Sequence, residues 1–252
     1  MSMLNTAGVP RSLREAGMKC SNCPARDSAV CADCDSDELR ALEKIRSFQK
    51  FAPAQEIIAA QEPIRFVGNI VSGVVKLTRL MADGRRQIIG LRFKGDLIGR
   101  SASELADHDA NAVTEVMLCK FRRKEFHSLL ERYPNVMQRN LDMTLSELDD
   151  AHEWLVVLGQ KTAREKVATF LCLLADRIGE NHGRNARSFD IPITRDEVAD
   201  YLGLTIETVS RQISRMKASG LIRLEGTRHV HVPDLAALLD ASAGDAEGGV
   251  FP

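Results

Sequence analysis

Cysteine supplies a soft sulfur ligand, and four of the six cysteines in this chain fall within fifteen residues, as Cys20-Ser-Asn-Cys23 and Cys31-Ala-Asp-Cys34. Buried structural cysteines are normally scattered singly. Two C-x2-C pairs in one short segment instead bring several thiolates within reach of one metal. Neither pair has the βαβ context of a thioredoxin-like redox site. The segment therefore poses three questions: which metal, on which ligands, and controlling what.

A second constellation lies near the other end. Thr194-Arg-Asp-Glu197 forms a capping box, in which the Thr hydroxyl and the Glu carboxylate satisfy the first free amides of a helix. That helix, Val198 to Leu202, stops at Gly203, and Thr205 caps a second helix running to about Ser219-Gly220. Ile206, Val209, Ile213 and Met216 mark its buried stripe. Glu207, Ser210 and Arg211 share another face near its start, where a recognition helix meets base edges in the major groove. Arginine can make a bidentate contact to guanine, and glutamate can accept from the cytosine amino group. Gln212, Arg215 and Lys217 add candidate base or phosphate contacts. Leu221 to Leu224, Gly226 and His229 to Val232 form a hairpin, which makes the unit a winged helix-turn-helix. A charged helix face alone is more simply a solvated one. Here cap, turn, stripe, polar triad and wing agree on DNA.

The elements that position these residues are also legible. At 252 residues with 44% hydrophobic and 27% charged content, the chain suits a globular protein of two ordinary domains. Its formal charge of −1 is uneven, with Asp142, Glu147, Asp149, Asp150 and Glu153 crowded in one stretch and Arg211, Arg215, Lys217, Arg223 and Arg228 in another. No secretory signal or bilayer-spanning apolar run is present, so a cytoplasmic setting is expected, where clustered thiols favour metals over stable disulfides. No nucleophile elbow, phosphate loop or HExxH motif suggests an enzyme.

Asp37 to Arg46 reads as an amphipathic helix with Leu39, Leu42 and Ile45 on one face. From about Phe51 to Phe121, short apolar runs punctuated by glycines indicate a compact antiparallel barrel or roll, with Asp83-Gly84 as a hairpin turn. A long helix follows from about Pro134 to Gly159, with Leu141, Leu148 and Leu155 repeating every seven residues, a stripe that serves packing on its own domain or, as the favoured reading, a dimer seam. Lys161 to Ile178 is a further helix, and Gly179 to Ser188 a polar loop. The expected organisation is α+β: a cysteine-rich sensor segment (1–38), a β-roll (39–132), a dimerisation helix (133–160), a winged helix-turn-helix domain (161–235) and an acidic flexible tail (236–252).

On these residues the chain resembles the CRP/FNR superfamily of transcription regulators over nearly its whole length. Tyr201-Leu-Gly-Leu-Thr-Ile-Glu-Thr-Val-Ser-Arg211 is close to the FNR branch pattern, and Gly95-Asp-Leu-Ile-Gly99 also looks like FNR. The resemblance implies a homodimer whose Glu207, Ser210 and Arg211 read the TTGAT half-sites of a double-stranded palindrome, with Thr194, Thr205, Gln212 and Arg215 in support. It implies a cyclic-nucleotide-binding-like roll. However, Gly95 is followed by Asp96, no arginine occurs between Arg100 and Arg122, and Arg100-Ser101-Ala102 follows Gly95 too closely to hold a cyclic phosphate. That argues against a cyclic nucleotide as effector.

FNR-type sensors hold a [4Fe–4S] cluster on three N-terminal cysteines and one distant cysteine. The C-x2-C-x7-C spacing of the FnrN/FixK-like form matches Cys20, Cys23 and Cys31, and Cys119 takes the distant place. Cys34 is a departure from that pattern, an alternative ligand or a free thiol. Two sets stay open: the cluster set, and a structural zinc on Cys20, Cys23, Cys31 and Cys34, although the seven-residue gap is short against the roughly 15–20 residues of a zinc ribbon. Haem and thiol-redox sensing on the same fold are further alternatives. Cys172 reads as packing. Ser72 and the Gly84-Arg85 turn resemble surfaces through which FNR-type regulators touch RNA polymerase.

Overall fold

The computed structural model describes residues 18–100, 104–183 and 185–243. Expectations resting on residues 1–17, on Ser101 and Ala102, and on residues 244–252 lie outside them. The chain divides into two compact units, Met1–Arg79 with Leu91–Thr144 and Leu80–Gly90 with Leu145–Pro252.

In the first unit, a single 3-10 turn (Cys20–Asn22) precedes helix α1 (Ser36–Ile45). Asp35 caps α1 by accepting from the Asp37 and Glu38 amides at 2.7 and 2.9 Å, and the Glu38 carboxylate accepts from the Asp35 amide at 2.9 Å. The chain then passes without a loop into β1 (Arg46–Phe51), earlier than the first strand expected near Phe51. Only Phe48 and Phe51 are apolar there, so the strand comes from pairing rather than from its own pattern. The roll continues through β2 (Glu56–Ile58), β3 (Phe66–Ser72), β4 (Val75–Leu80), β5 (Arg86–Arg92), β6 (Leu97–Ile98), β7 (Asp109–Ala112) and β8 (Val116–Arg122). They form two sheets, ordered β1-β8-β3-β6 and β2-β7-β4-β5.

Strand alternation sorts the first sheet's side chains by face. Ile70, Ile98, Val116 and Leu118 join Val75, Leu77 and Ala110 in the roll interior. Val67, Val71, Leu97, Met117, Cys119 and Phe121 form the opposite face, on which Ala25, Ala29, Val30, Cys31 and Leu42 pack. The same core takes Phe126, Leu129 and Leu130 of α2 (Arg123–Arg132), a helix inside the segment that the sequence assigned wholly to the roll. Helix α3 (Pro134–Gln160) follows as expected.

The second unit holds α4 (Ala163–Ile178), β9 (Glu180–Asn181), β10 (Arg187–Asp190), α5 (Arg195–Leu202), α6 (Ile206–Ala218), β11 (Arg223–Glu225), β12 (His229–Val232) and α7 (Leu235–Ala243). Its sheet runs β11-β12-β10-β9. Two expectations need correction. Residues 179–188 are not a plain loop, because β9 and β10 pair within them. The tail expected from residue 236 begins as α7, whose buried Leu238 and Ser242 lie on a helix packed against α4.

Candidate metal centre and nucleic-acid interface

Both C-x2-C pairs are closed by the same local device. The Cys23 amide donates to the Cys20 carbonyl and the Cys34 amide to the Cys31 carbonyl, each at 3.3 Å. Distant side chains then fix each turn in place. The Glu43 carboxylate on α1 accepts from the Cys20 amide at 2.7 Å, and Arg46, stacked over Phe48, donates to the Met18 carbonyl at 2.6 Å. Arg26 grips the second turn, donating to the carbonyls of Cys31, Ala32 and Cys34. Gly95 gives the segment its seat. Its φ of +96° suits glycine, and a Cβ there would stand 2.4 Å from Ser28 Oγ.

All six pairings among Cys20, Cys23, Cys31 and Cys119 are close enough to matter electrostatically. Cys119 is raised first by burial and then by Cys20, Cys23 and Cys31, against the pull of Arg46. Burial is also the leading cause at Cys20, pushed up to about 11, where Arg46 lowers and Glu43, Cys31 and Cys23 raise. Cys31 is raised by burial and then by Cys23. Cys34 behaves differently: burial pushes it up to about 12, followed by Glu38, and Cys31 is the one thiol among its leading influences. The structure therefore brings Cys20, Cys23, Cys31 and Cys119 into one neighbourhood, and Cys34 shares the core of Cys31 and Cys119.

The buried Cys20, Cys31 and Cys119 and the half-buried Cys23 suit an iron–sulfur group, which is held by thiolates, with Glu43 the carboxylate that reaches Cys20. The raised pKa values of the thiols mean that ligation must displace protons. Among the described residues, no three His, Cys, Asp or Glu side chains are drawn tightly enough to grip a metal ion as they stand.

The DNA-facing half is built locally. Thr194 accepts from the Glu197 amide at 3.2 Å while Glu197 accepts from the Thr194 amide at 2.8 Å, completing the capping box of α5. Gly203 ends α5 in the left-handed conformation (φ 61°, ψ 42°), and Thr205 starts α6 by accepting from the Thr208 amide at 3.3 Å. Trp154 stacks on Tyr201 of α5 with centroids 4.4 Å apart. Gln87 on the hairpin donates to the Asp200 carbonyl of the same helix.

On α6, Glu207, Ser210, Arg211, Arg215 and Lys217 are all exposed. Hydrogen bonds from its own amide and from the Thr205 hydroxyl hold the Glu207 carboxyl below the usual carboxylate range, keeping it an acceptor. Two residues depart from expectation. Gln212 is buried beside Val209, Ile213 and Met216 on the inward stripe, so in this arrangement it does not reach a groove. Ile206, expected in that stripe, is 39% exposed because it opens the helix beyond the packed surface. Ser72 ends β3, and Gly84 and Arg85 form an exposed hairpin tip where Arg85 pairs with Asp83 at 2.7 Å. Leu141, Leu148 and Leu155 are 47%, 50% and 67% exposed along α3. Arg26, Glu43 and Arg46 escaped the sequence reading, since no motif marks a side chain whose role is to hold carbonyls and amides.

Comparison with known proteins gives the family and supports the fold. Residues 48–133 match the cyclic nucleotide-binding domain family and residues 165–241 the Crp-like helix-turn-helix domain family. The transcriptional activator protein FnrL of Cereibacter sphaeroides is 46% identical over 92% of this chain and 95% of its own length. The nitrogen fixation regulation protein FixK of Bradyrhizobium diazoefficiens is 35% identical over 82% and 87%. The solved structure of FixK2 from Bradyrhizobium japonicum superposes with a TM-score of 0.73 at 31% identity, covering 80% of this chain and all of that one. The chain thus belongs to the CRP/FNR family of transcription regulators, in its FNR/FixK branch, and is a DNA-binding regulator rather than an enzyme.

Proposed function

We propose that this regulator responds to oxygen through a [4Fe–4S] cluster held by Cys20, Cys23, Cys31 and Cys119, and that its dimer activates transcription from TTGAT-type inverted repeats in the cytoplasm. The observation that carries this reading is the packing of Cys119 of β8 in one core with the cysteine segment, where Cys20, Cys23 and Cys31 all raise its thiol. When bound, the cluster would supply an oxygen-labile cross-link between the N-terminal segment and β8.

The chain's own residues connect that segment to a partner. Helix α3 has two working faces. Val136 and Met143 pack into the core that holds the cysteine segment. Between them Arg139 donates to the Ser28 carbonyl at 3.3 Å and stands 4.0 Å from the Asp33 carboxylate. Roughly opposite, Met137, Leu141, Leu145 and Leu148 form an exposed apolar row at helical spacing. An ordered segment fixes the first face, and a second copy covers the other. The acidic stretch from Glu147 to Glu153 opposes that association, so the equilibrium stays near balance and responds to a modest bias.

With two α6 helices one DNA turn apart, Glu207, Ser210 and Arg211 read each half-site while Thr194, Thr205 and Arg215 serve the backbone. Ser72 and the Gly84-Arg85 tip are offered to RNA polymerase. Cyclic nucleotide has no place in this reading, since Arg100 donates to the Asn140 carbonyl and the Thr144 hydroxyl on α3.

The test is anaerobic purification with iron and sulfide counts, followed by native mass and binding to a TTGAT palindrome before and after air. Four irons per chain, a dimer, and tighter anaerobic binding are expected; equal binding in both states overturns the oxygen response. A structural zinc on Cys20, Cys23, Cys31 and Cys34 is the second reading, favoured by the matched 3.3 Å turns of the two pairs. Zinc with no iron in the purified protein would establish it, and a sharp Soret band would indicate haem instead.

A further inference from the structure

The first sheet carries a polar side chain that its surroundings do not explain. Cross-strand register sets Phe48, Cys119, Asn69 and Leu97 in one row across β1, β8, β3 and β6. Directly opposed residues in antiparallel strands share a face, with Cβ atoms about 4.5–5.5 Å apart. The neighbours of Asn69 on its own strand identify that face: Val67 and Val71 both lie in the core with Cys31, Cys34 and Cys119. Asn69 therefore points toward the cysteine segment, immediately beside the fourth thiol. It is 2% exposed, and its Oδ1 has no hydrogen-bond partner.

A buried amide among valines and leucines is costly when left unsatisfied, so the position is poorly served as plain packing. Valine or leucine would fill it at no such cost. The unmet polar capacity makes sense if the partner is the Cys119 sulfur. A protonated thiol can donate weakly to the amide oxygen, and a ligating thiolate can accept from the amide N–H after a half-turn of the side chain. The two amide ends are alike in shape, so the same residue serves both states.

We propose that Asn69 is a positioning residue for the metal centre, donating an N–H···S hydrogen bond to the Cys119 sulfur when that sulfur is a ligand. This rests on the cluster reading above. Hydrogen bonds to cluster sulfurs set how readily the cluster is oxidised, and partners behind the ligands hold them in place. Cys119 is the one ligand outside the N-terminal segment. A donor there secures the end of the cross-link that belongs to the roll.

Two substitutions of equal shape isolate the hydrogen bond. Asn69→Val removes the donor, whereas Asn69→Thr keeps a hydroxyl, and both suit a β-strand. In Asn69→Val, bleaching in air and loss of iron to a chelator should be about 10-fold faster than in the parent protein, with Asn69→Thr between them. The metal-free Asn69→Val protein should melt higher, because a buried amide served at best by a weak S–H donor has been removed. A role in packing alone would move both quantities the same way. Iron retention by Asn69→Val equal to that of the parent, or a lower melting temperature for its metal-free form, overturns the proposal.

The infrared S–H band of Cys119 in metal-free protein, assigned by difference with Cys119→Ser, separates this idea from the cluster reading. A shift of that band in Asn69→Val supports the contact whether or not the protein binds iron. An unshifted band removes the contact itself. Parent protein that binds no iron refutes the cluster reading, and the role proposed for Asn69 with it, even where the band shifts.

Discussion

The helix ends of the helix-turn-helix and the turns of the cysteine segment are placed in opposite ways. In the first, Thr194 and Glu197 satisfy each other across three residues, Gly203 makes the turn on its own backbone, and Thr205 caps the next helix three residues ahead. In the second, the turns are local but their placement is not. Cys20 is held by Glu43, 23 residues away, Met18 by Arg46, 28 residues away, and Ser28 by Arg139, 111 residues away. Caps and a turn written locally need no distant partner, although Gln87 and Trp154 also reach α5 from afar. A segment that depends on distant partners can be released as a whole, which is what a sensor requires.

The sharpest way to test this contrast is to remove its longest connection. Cys119→Ala should abolish iron binding, while Cys34→Ala should leave iron and sulfide content at the parent level. Loss of the cluster in Cys34→Ala with retention in Cys119→Ala would make the metal centre as local as the DNA-binding unit, and the contrast would collapse. Next in size is Arg211→Ala, which should cost about 1–3 kcal/mol of discrimination at one base pair of the half-site, read by competition binding. Gln212→Leu should leave that discrimination unchanged, because Gln212 lies on the buried stripe of α6. A Gln212→Leu protein with altered base preference would show that α6 is rotated from the orientation described above.

These differences also explain what could be read from the chain. The capping box, Gly203, the Thr205 cap and the exposed triad on α6 were legible because each rests on a signal a few residues long. The roll was legible as a class from its glycine-punctuated strands, and α3 from its heptads. Strand β1 was missed because Arg46 to Phe51 lacks alternation and owes its form to β8. Helix α2 was hidden by continuity with the last strand, although Phe126, Leu129 and Leu130 do stand at helical spacing. Ile206 and Gln212 were exchanged between the faces of α6. The stripe was chosen by apolarity, whereas position relative to the packed surface decides burial. The clamps Arg26, Glu43 and Arg46, and Asn69 in its row with Cys119, depend on register and distance, which no local pattern encodes.

The raised thiols make a prediction about pH. An ordinary thiol ionises near 9.0, and burial moves Cys20 up to about 11 in the folded protein. The folded state therefore keeps a proton that the unfolded chain gives up. This contribution is fully present below about pH 9 and is lost as pH rises through about 11. Metal-free protein should melt at a steadily lower temperature across that window, in the transition that includes the roll. A flat profile there would mean that the cysteine segment is already loose without metal. The clamps would then act only after ligation.

The smallest expected effect tests the comparison most directly, because it applies one chemical change to both regions. Thr194→Ala and Asp35→Ala each delete a helix N-cap that completes a capping box, at a cost of about 1 kcal/mol. At Thr194 the loss should stay local, lowering the stability of the α5–α6 unit without changing iron retention. At Asp35 it should spread. Helix α1 carries Glu43, whose carboxylate holds the Cys20 amide, and its buried Leu42 shares a core with Cys31 and Cys119. Loosening the start of α1 should therefore speed amide exchange at Cys20 and hasten iron loss, although Asp35 touches neither. Exchange confined to the first turn of α1, as local as that at Thr194, would show that the cysteine segment is anchored by its own turns and Arg26 rather than through the helix.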